Sequence, residues 1–572
     1  MTESYYDLGS YQFPVTTSSA DCQTWFDRGY RWAQGFNHEE AARCFQKAID
    51  FDESCAMAYW GFCYAKGPNY NKTWIRFDDL DVEETITAVK PFLSKAIELS
   101  SQASPPESAL IHALASRFPP HHAFLLGNSP DTAKTLDHEY SQVMCTVYDR
   151  FPSHLDVSAL CAEALMCISP RALWNLRTGK PKGPHTEKAR EILEKAMKFP
   201  GADNLPALYH LYIHLMEMSP YPEIALPAAD RLRFLAGDAS HLQHMPSHID
   251  IACGDYRRAV DSNHQAILAD NKYFCRENGS VLYVMYRAHN VYVKLYSALI
   301  SGRSQEALSS AALLSEILTP EVLAIKSPPM ADWTESYLGA KVHVMVRFGM
   351  WKEILELPIP EDTELYCSTT AMIYYGRGIA LSALRRIKEA KVEQENFENA
   401  RILVPRTRLN SLPVVEADVL EVASLMLQAE IEYREFSGDA SFRTLRLAAV
   451  REDALPYADP PPWMQPTRHA YGALLLEQCC FKEAEVVYRE DLGIGGILPR
   501  RQARLNNVWG LHGLHECLVR LKKCDEARSV KVQMDIALAS ADIKIEASCF
   551  CRLSAVENGD ILKETDYWKY CL

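Results

Sequence analysis

Two histidine pairs in this chain are separated by a single interval, and that interval constrains the fold more than any other feature. His210 and His214 stand four residues apart in ALYHLYIHLME; His244 and His248 stand four apart in HLQHMPSHID, 34 residues further on. Thirty-four residues is the length of one helix–turn–helix unit in tetratricopeptide arrays. A spacing of four places each pair on one face of a helix. The shared interval then places both pairs at equivalent positions of consecutive hairpins. Four imidazoles on neighbouring, equivalent helices are expected to converge, and convergent imidazoles suit a metal ion.

The same unit is legible elsewhere. Trp25, Gly29, Trp32, Ala41, Phe45 and Ala48 follow the order aromatic, small, aromatic, then small, aromatic, small. Asn37, in the turn Phe36-Asn37-His38, is placed to cap the second helix of that hairpin. Gly472, Leu475, Ala484 and Tyr488 mark another unit, and Ala225, Ala259 and Ala307 each open a second helix after a polar turn. The clearest repeats fall at 22–55, 206–237, 241–272 and 465–492, with irregular insertions at about 101–190. No long period-two alternation is present, so strands are expected to be minor. The expectation is an all-α tetratricopeptide-like solenoid of helical hairpins, continuous over residues 1–572. The tail ADIKIEASCFCRLSAVENGDILKETDYWKYCL is compatible with a last helix followed by an ordered or frayed end.

Composition excludes several function classes. A net charge of −14 argues against nucleic acid, whose binding needs basic surface. No apolar run reaches the length of a membrane span, and MTESYYDLGSYQFPV lacks the pattern of a secretory signal. A cytoplasmic protein is expected, with its 17 scattered cysteines reduced. There is no P-loop, no G-x-G-x-x-G after a strand, no G-x-S-x-G elbow and no CxxC pair.

The histidines therefore carry the chemistry that can be read. His210, His214, His244 and His248 form the ligand pool for Zn2+, with Cu as the alternative. Glu217 shares a face with His214, and His241 precedes His244 by one turn. His289, in the next unit, takes the slot equivalent to that of His241. In a superhelix these positions line the concave wall, so six histidines and a glutamate are expected to face one groove. Glu217 is placed to be a ligand, a general base, or the acceptor that fixes an imidazole tautomer. Glu163, in LCAEALMCI, is a second acid/base candidate, with His289 a third. Trp60, Asn69 and Asn290 are candidate substrate contacts, with Tyr59, Asn71, Trp463, Trp509 and His512 beside them. Packing or loop anchoring competes with ligand contact for each. A duplicated repeat also duplicates its histidines without any function.

The stretches FNHEEAARCFQKAIDFDESCAMAYWGFCYAKGPNYN, YHLYIHLMEMS, HLQHMPSHI, YRAHN and PPPWMQPTRHAYGALLLEQCCFKEAEVVYREDL, with WGLHGLHECL, resemble a bacterial and fungal family of tetratricopeptide-like proteins. Within it the chain looks like the fungal cyclopenases, hemocyanin-like zinc lyases of alkaloid secondary metabolism. Met216 and Met218 depart from the small residues usual beside the glutamate. The resemblance implies ring contraction of a cyclopenin-type benzodiazepinedione to a viridicatin-type quinolone, with loss of methyl isocyanate. It also implies a small-molecule substrate, no nucleic-acid or membrane partner, and compatibility with a homodimer. Two rival readings remain: a non-catalytic scaffold that binds a peptide, and a histidine-rich copper oxidase or oxygen carrier.

Overall fold

The computed structural model describes residues 5–118, 130–277, 279, 281–436, 438–496 and 498–553. Residues 119–129, within the expected insertions, and the tail from 554 lie outside the described residues. The fold is all-α and tetratricopeptide-like. Strand structure among the described residues is one small antiparallel pair, Leu409–Ser411 with Val414–Val415, apart from a single bridge at Trp174 and Pro181. The chain divides into two compact units. One runs through Ile249 and includes Gln265–Tyr283; the other comprises Asp250–His264 and the residues from Val284 onward.

In the first unit the helices Ala20–Gln34, His38–Phe51, Ala56–Lys66 and Asp79–Leu99 each pack on the next. The second unit stacks Cys367–Ala383, Ile387–Arg401, Glu416–Phe436, Asp439–Asp453, Thr467–Glu477, Phe481–Asp491, Val508–Arg520 and Cys524–Leu538 in the same serial manner. First helices also touch the next first helix: Ala20–Gln34 on Ala56–Lys66, and Thr467–Glu477 on Val508–Arg520. That contact is what makes hairpins stack as a repeat rather than fold back as a bundle.

One packing device explains why the small and aromatic positions recur. The ring of Phe45 lies so close to Gly29 and Gly61 that a Cβ would stand 3.0 Å and 2.4 Å from it. Tyr488 is wedged in the same way, 2.4 Å from a Cβ at Gly472 and 2.2 Å from one at Gly513. In both units an aromatic of the second helix fills the space that two glycines of successive first helices leave. Asn37 caps its helix as expected, its side chain accepting from the Glu40 N–H at 3.2 Å. Residues 541–552 of the C-terminal segment form bends, a turn and irregular backbone.

The helix Pro206–Met216 opens on a proline, which costs no hydrogen bond there, and every one of its residues is buried. It packs against Ala20–Gln34, Leu155–Met166 and Pro184–Ala196. Its two histidines are thus placed in an interior that would normally be aliphatic.

Candidate metal centre

Five imidazoles from the first unit form a closed ring. Centroid separations run 4.9 Å from His241 to His210, 4.9 Å to His214, 5.5 Å to His248, 4.8 Å to His244 and 5.7 Å back to His241. All five are buried, none more than 3% exposed. The expected open groove is therefore a closed cluster at these residues. Phe36 covers it, its ring centroid 4.5 Å from His210 and 5.1 Å from His241, while Tyr70 lies 4.8 Å from His214. Phe36 sits in the hairpin turn with φ 56°, a left-handed conformation uncommon for a bulky residue. Strain of this kind persists only where the surroundings hold it.

The pairing differs from the one the 34-residue interval predicts. His214 meets His248 as expected, but His210 meets His241, with Nε2–Nε2 at 3.2 Å, rather than His244. The reason is Pro246. It lacks an N–H and divides the segment into two short helices, Ser240–His244 and Pro246–Cys253. His241, one turn before His244, takes the slot facing His210. His244 instead pairs with His248, Nε2–Nε2 at 2.9 Å.

The hydrogen bonds on the other ring nitrogens settle what these imidazoles can do. His210 Nδ1 lies 2.8 Å from the Gln34 carbonyl oxygen, which can only accept. His214 Nδ1 lies 3.1 Å from Glu217 Oε1, and His248 Nδ1 bonds the other oxygen, Oε2. Each of the three Nδ1 atoms therefore donates its N–H, and each Nε2 of the neutral ring keeps a lone pair. His214 Nε2 has no protein partner although it is buried. Glu217 thus bonds both Nδ1 atoms, the arrangement in which one carboxylate sets two tautomers. A carboxylate or carbonyl behind each imidazole is the usual outer arrangement of a histidine metal site.

The electrostatics point the same way. Desolvation first, and the neighbouring imidazoles next, hold His210 and His241 well below the ordinary histidine value. Burial lowers His214 as well, against the opposing effect of Glu217. Burial pushes Glu217 up, but His248 and His214 outweigh it and hold its carboxyl well below the usual range. Burial thus favours the neutral form of His210, His214 and His241, with the Glu217 carboxylate beside them. Within the first unit two overlapping groups bring their ligand atoms within 4.8 Å of one another: His210, His214 and His241, and His214, Glu217 and His248. The separation of 3.2 Å between His210 and His241 Nε2 is close to the edge of about 3.3 Å that two nitrogens share on a tetrahedral zinc with bonds of about 2.0–2.1 Å. The residues present fit that ion.

Glu163 joins this site from the helix Leu155–Met166. It is buried, accepts from Tyr64 Oη at 2.6 Å through Oε2, and has Oε1 without a protein partner. With His210, Gln34 and Tyr64 it lines a cavity of about 20 Å³, whose neighbours include Phe36 and Leu211. Such a space holds about one water molecule. Both side-chain atoms of Gln34 are buried there without a protein partner.

The other candidate residues fare differently. Trp60 is buried and stacks on Tyr64 at 5.2 Å and 6°, with its Nε1 buried and without a protein partner. Asn69 accepts from the N–H groups of Asn71 and Lys72, at 2.9 and 3.0 Å, and so anchors its own loop. His289 and Asn290 lie on the helix Val281–Ile300, in the part that belongs to the second unit, half-buried and buried respectively. Gln34, Phe36, Tyr64 and Tyr70 escaped the sequence reading, because nothing local marks a turn aromatic or a helix-end carbonyl as facing a histidine about 175 residues away.

No protein-family model matches the chain, and no curated protein matches it. Among solved structures it is similar to that of Naa15/Naa10 bound to HypK-THB, with 14% identity and a TM-score of 0.21 over 94% of this chain and 74% of that one. Another is the APC/C hetero-tetramer Cut9–Hcn1, with 11% identity and a TM-score of 0.21 over 82% of this chain and 97% of that one. Likeness at this level bears on neither site nor activity, and the helical-hairpin fold stands on the packing described above. No described helix is long and apolar enough to cross a membrane.

Proposed function

We propose that the protein is a zinc-dependent enzyme built on a helical-repeat scaffold, with His210, His214, His241 and His248 as the ligand pool. The observation that carries this reading is the fixed tautomer of three buried imidazoles, each Nδ1 tied to an acceptor and each Nε2 lone pair left inside the cluster. Of these, His214 Nε2 is buried without a protein partner, and a cation in the cluster would satisfy its lone pair. A bound zinc supplies Lewis acidity and an acidified water. Glu163 holds or moves a proton at Oε1, steadied at Oε2 by Tyr64, while the Gln34 amide orients the one water that the cavity admits. Copper is the alternative ion, since imidazole ligation suits both.

The finer reading is a lyase of the cyclopenase type, contracting a benzodiazepinedione ring with release of methyl isocyanate. It rests on the sequence resemblance alone. A fused-ring substrate needs a pocket of roughly 300 Å³ or more, so the region around Glu163 must open to admit it. The smallness of the cavity, about 20 Å³, favours a second reading, in which the metal ties together a scaffold that binds a peptide partner. Elemental analysis of untagged protein, paired with assay of methylamine release from a cyclopenin-type substrate, separates them. Zinc with turnover that Glu163→Gln abolishes supports the lyase. Zinc without turnover supports the scaffold, copper supports oxygen chemistry, and no metal refutes the site.

A further inference from the structure

A second chemically active arrangement lies in the first unit and takes no part in the metal site. The helices Pro130–Arg150 and Leu155–Met166 pack on each other and bring Cys145 and Cys161 together, Sγ–Sγ at 3.9 Å. The Cys161 S–H donates to the Cys145 sulfur. Cys161 is fully buried, whereas Cys145 is partly open to solvent. Lys188, on Pro184–Ala196, stands close enough to Cys145 for the ammonium and the sulfur to interact. Cys22 and Cys55 also interact, but both are completely buried. Among the described residues only the 145–161 pair combines a thiol within reach of solvent, a partner thiol behind it and a cation beside it.

We propose that Cys145 and Cys161 form a thiol–disulfide exchange site for a small soluble disulfide, with Cys145 the attacking thiol and Cys161 the resolving one. The bond donated by Cys161, and then the Lys188 ammonium, hold the Cys145 thiol down to about 6 against desolvation, so it is largely thiolate near neutral pH. Cys161 is pushed far up by its neighbour and by burial. The Cys145 thiolate attacks one sulfur of a disulfide such as glutathione disulfide. The S–S bond breaks and its electron pair leaves on one glutathione as thiolate. Cys161 then gives up its proton to that base or to solvent and attacks the Cys145 sulfur, expelling the second glutathione. Two protein thiols are oxidised by two electrons, and one glutathione disulfide becomes two glutathione thiols. The sulfurs must close from 3.9 Å to about 2.05 Å, a rotamer-scale movement.

The test uses full-length reduced protein incubated with glutathione disulfide near neutral pH, then alkylated and mapped by peptide mass spectrometry. The expected product is a linked Cys145–Cys161 peptide pair, with Cys22 and Cys55 alkylated only after denaturation. Cys161→Ser should trap a stable glutathione adduct on Cys145, and Cys145→Ser should leave Cys161 unmodified. Lys188→Met should move the pH midpoint of Cys145 adduct formation upward, because the ammonium that favours the thiolate is gone. Adducts on the exposed Cys275 and Cys479 with Cys145 untouched would overturn the proposal. So would a Cys145 adduct that persists in the wild type without linking to Cys161.

Discussion

Replacing Glu217 by glutamine changes one atom of the side chain and tests the tautomer argument directly. The carboxylate accepts two N–H groups, from His214 Nδ1 at 3.1 Å and from His248 Nδ1. A carboxamide offers one oxygen to accept and one nitrogen that donates, so it can satisfy only one of these imidazoles as it stands. The other must move its proton to Nε2 and surrender the lone pair that faces the cluster. One nitrogen of the ligand pool is then lost without any ligand being mutated. Loss of such an outer partner weakens metal binding by about 10–100-fold, or about 1.4–2.8 kcal/mol. Removing the buried charge also removes its desolvation cost, so the metal-free protein should remain folded. Competition titration of apo-protein with a chromophoric chelator reads the zinc affinity of both proteins. An unchanged affinity would contradict the tautomer argument, and a loss as large as that of His214→Ala would make Glu217 a ligand in its own right.

Three further outcomes are expected. Phe36→Ala should destabilise the first unit by about 3–5 kcal/mol, as for a buried phenylalanine, and speed zinc dissociation because the cover over His210 and His241 is gone; stopped-flow chelation that shows no change refutes the covering role. Gly513→Ala places a Cβ 2.2 Å from the buried Tyr488 ring and should cost about 1–3 kcal/mol by overpacking, read as a lower urea midpoint. Apo-protein should lose stability on acidification below about pH 6.5. Ten histidines (38, 154, 185, 210, 214, 241, 343, 469, 512 and 515) are held low in the folded state, mainly by desolvation. The unfolded chain therefore binds protons there that the native state refuses. Six carboxylates (Asp27, Glu40, Asp137, Asp156, Glu335 and Glu416) are raised by burial and work in the opposite direction. The histidines outnumber them, so the unfolded state takes up more protons and stability falls with pH; a urea midpoint that rises between pH 7 and 5.5 refutes this.

The helical hairpins were legible because their packing needs small and aromatic residues at fixed offsets, and Gly29, Phe45, Gly472 and Tyr488 keep those offsets. The imidazole cluster was legible for a related reason: spacings of four and 34 survive translation into helix faces and repeat slots. The swap of His241 for His244 opposite His210 was not, since it depends on how Pro246 resets the helix. Nor was the burial of the cluster. It follows from Phe36 folding over the rings from a turn, and turn geometry is carried by φ rather than by any side-chain pattern.

The account stands or falls on whether these imidazoles hold a metal. X-ray absorption at the zinc edge of the zinc-loaded, untagged protein tests that most directly. It should show a first shell of nitrogen at about 2.0–2.1 Å, with the outer-ring scattering of at least three imidazoles, reduced by one in His214→Ala. A shell containing sulfur at about 2.3 Å, or an imidazole count that His214→Ala leaves unchanged, would place the ion elsewhere and contradict the account.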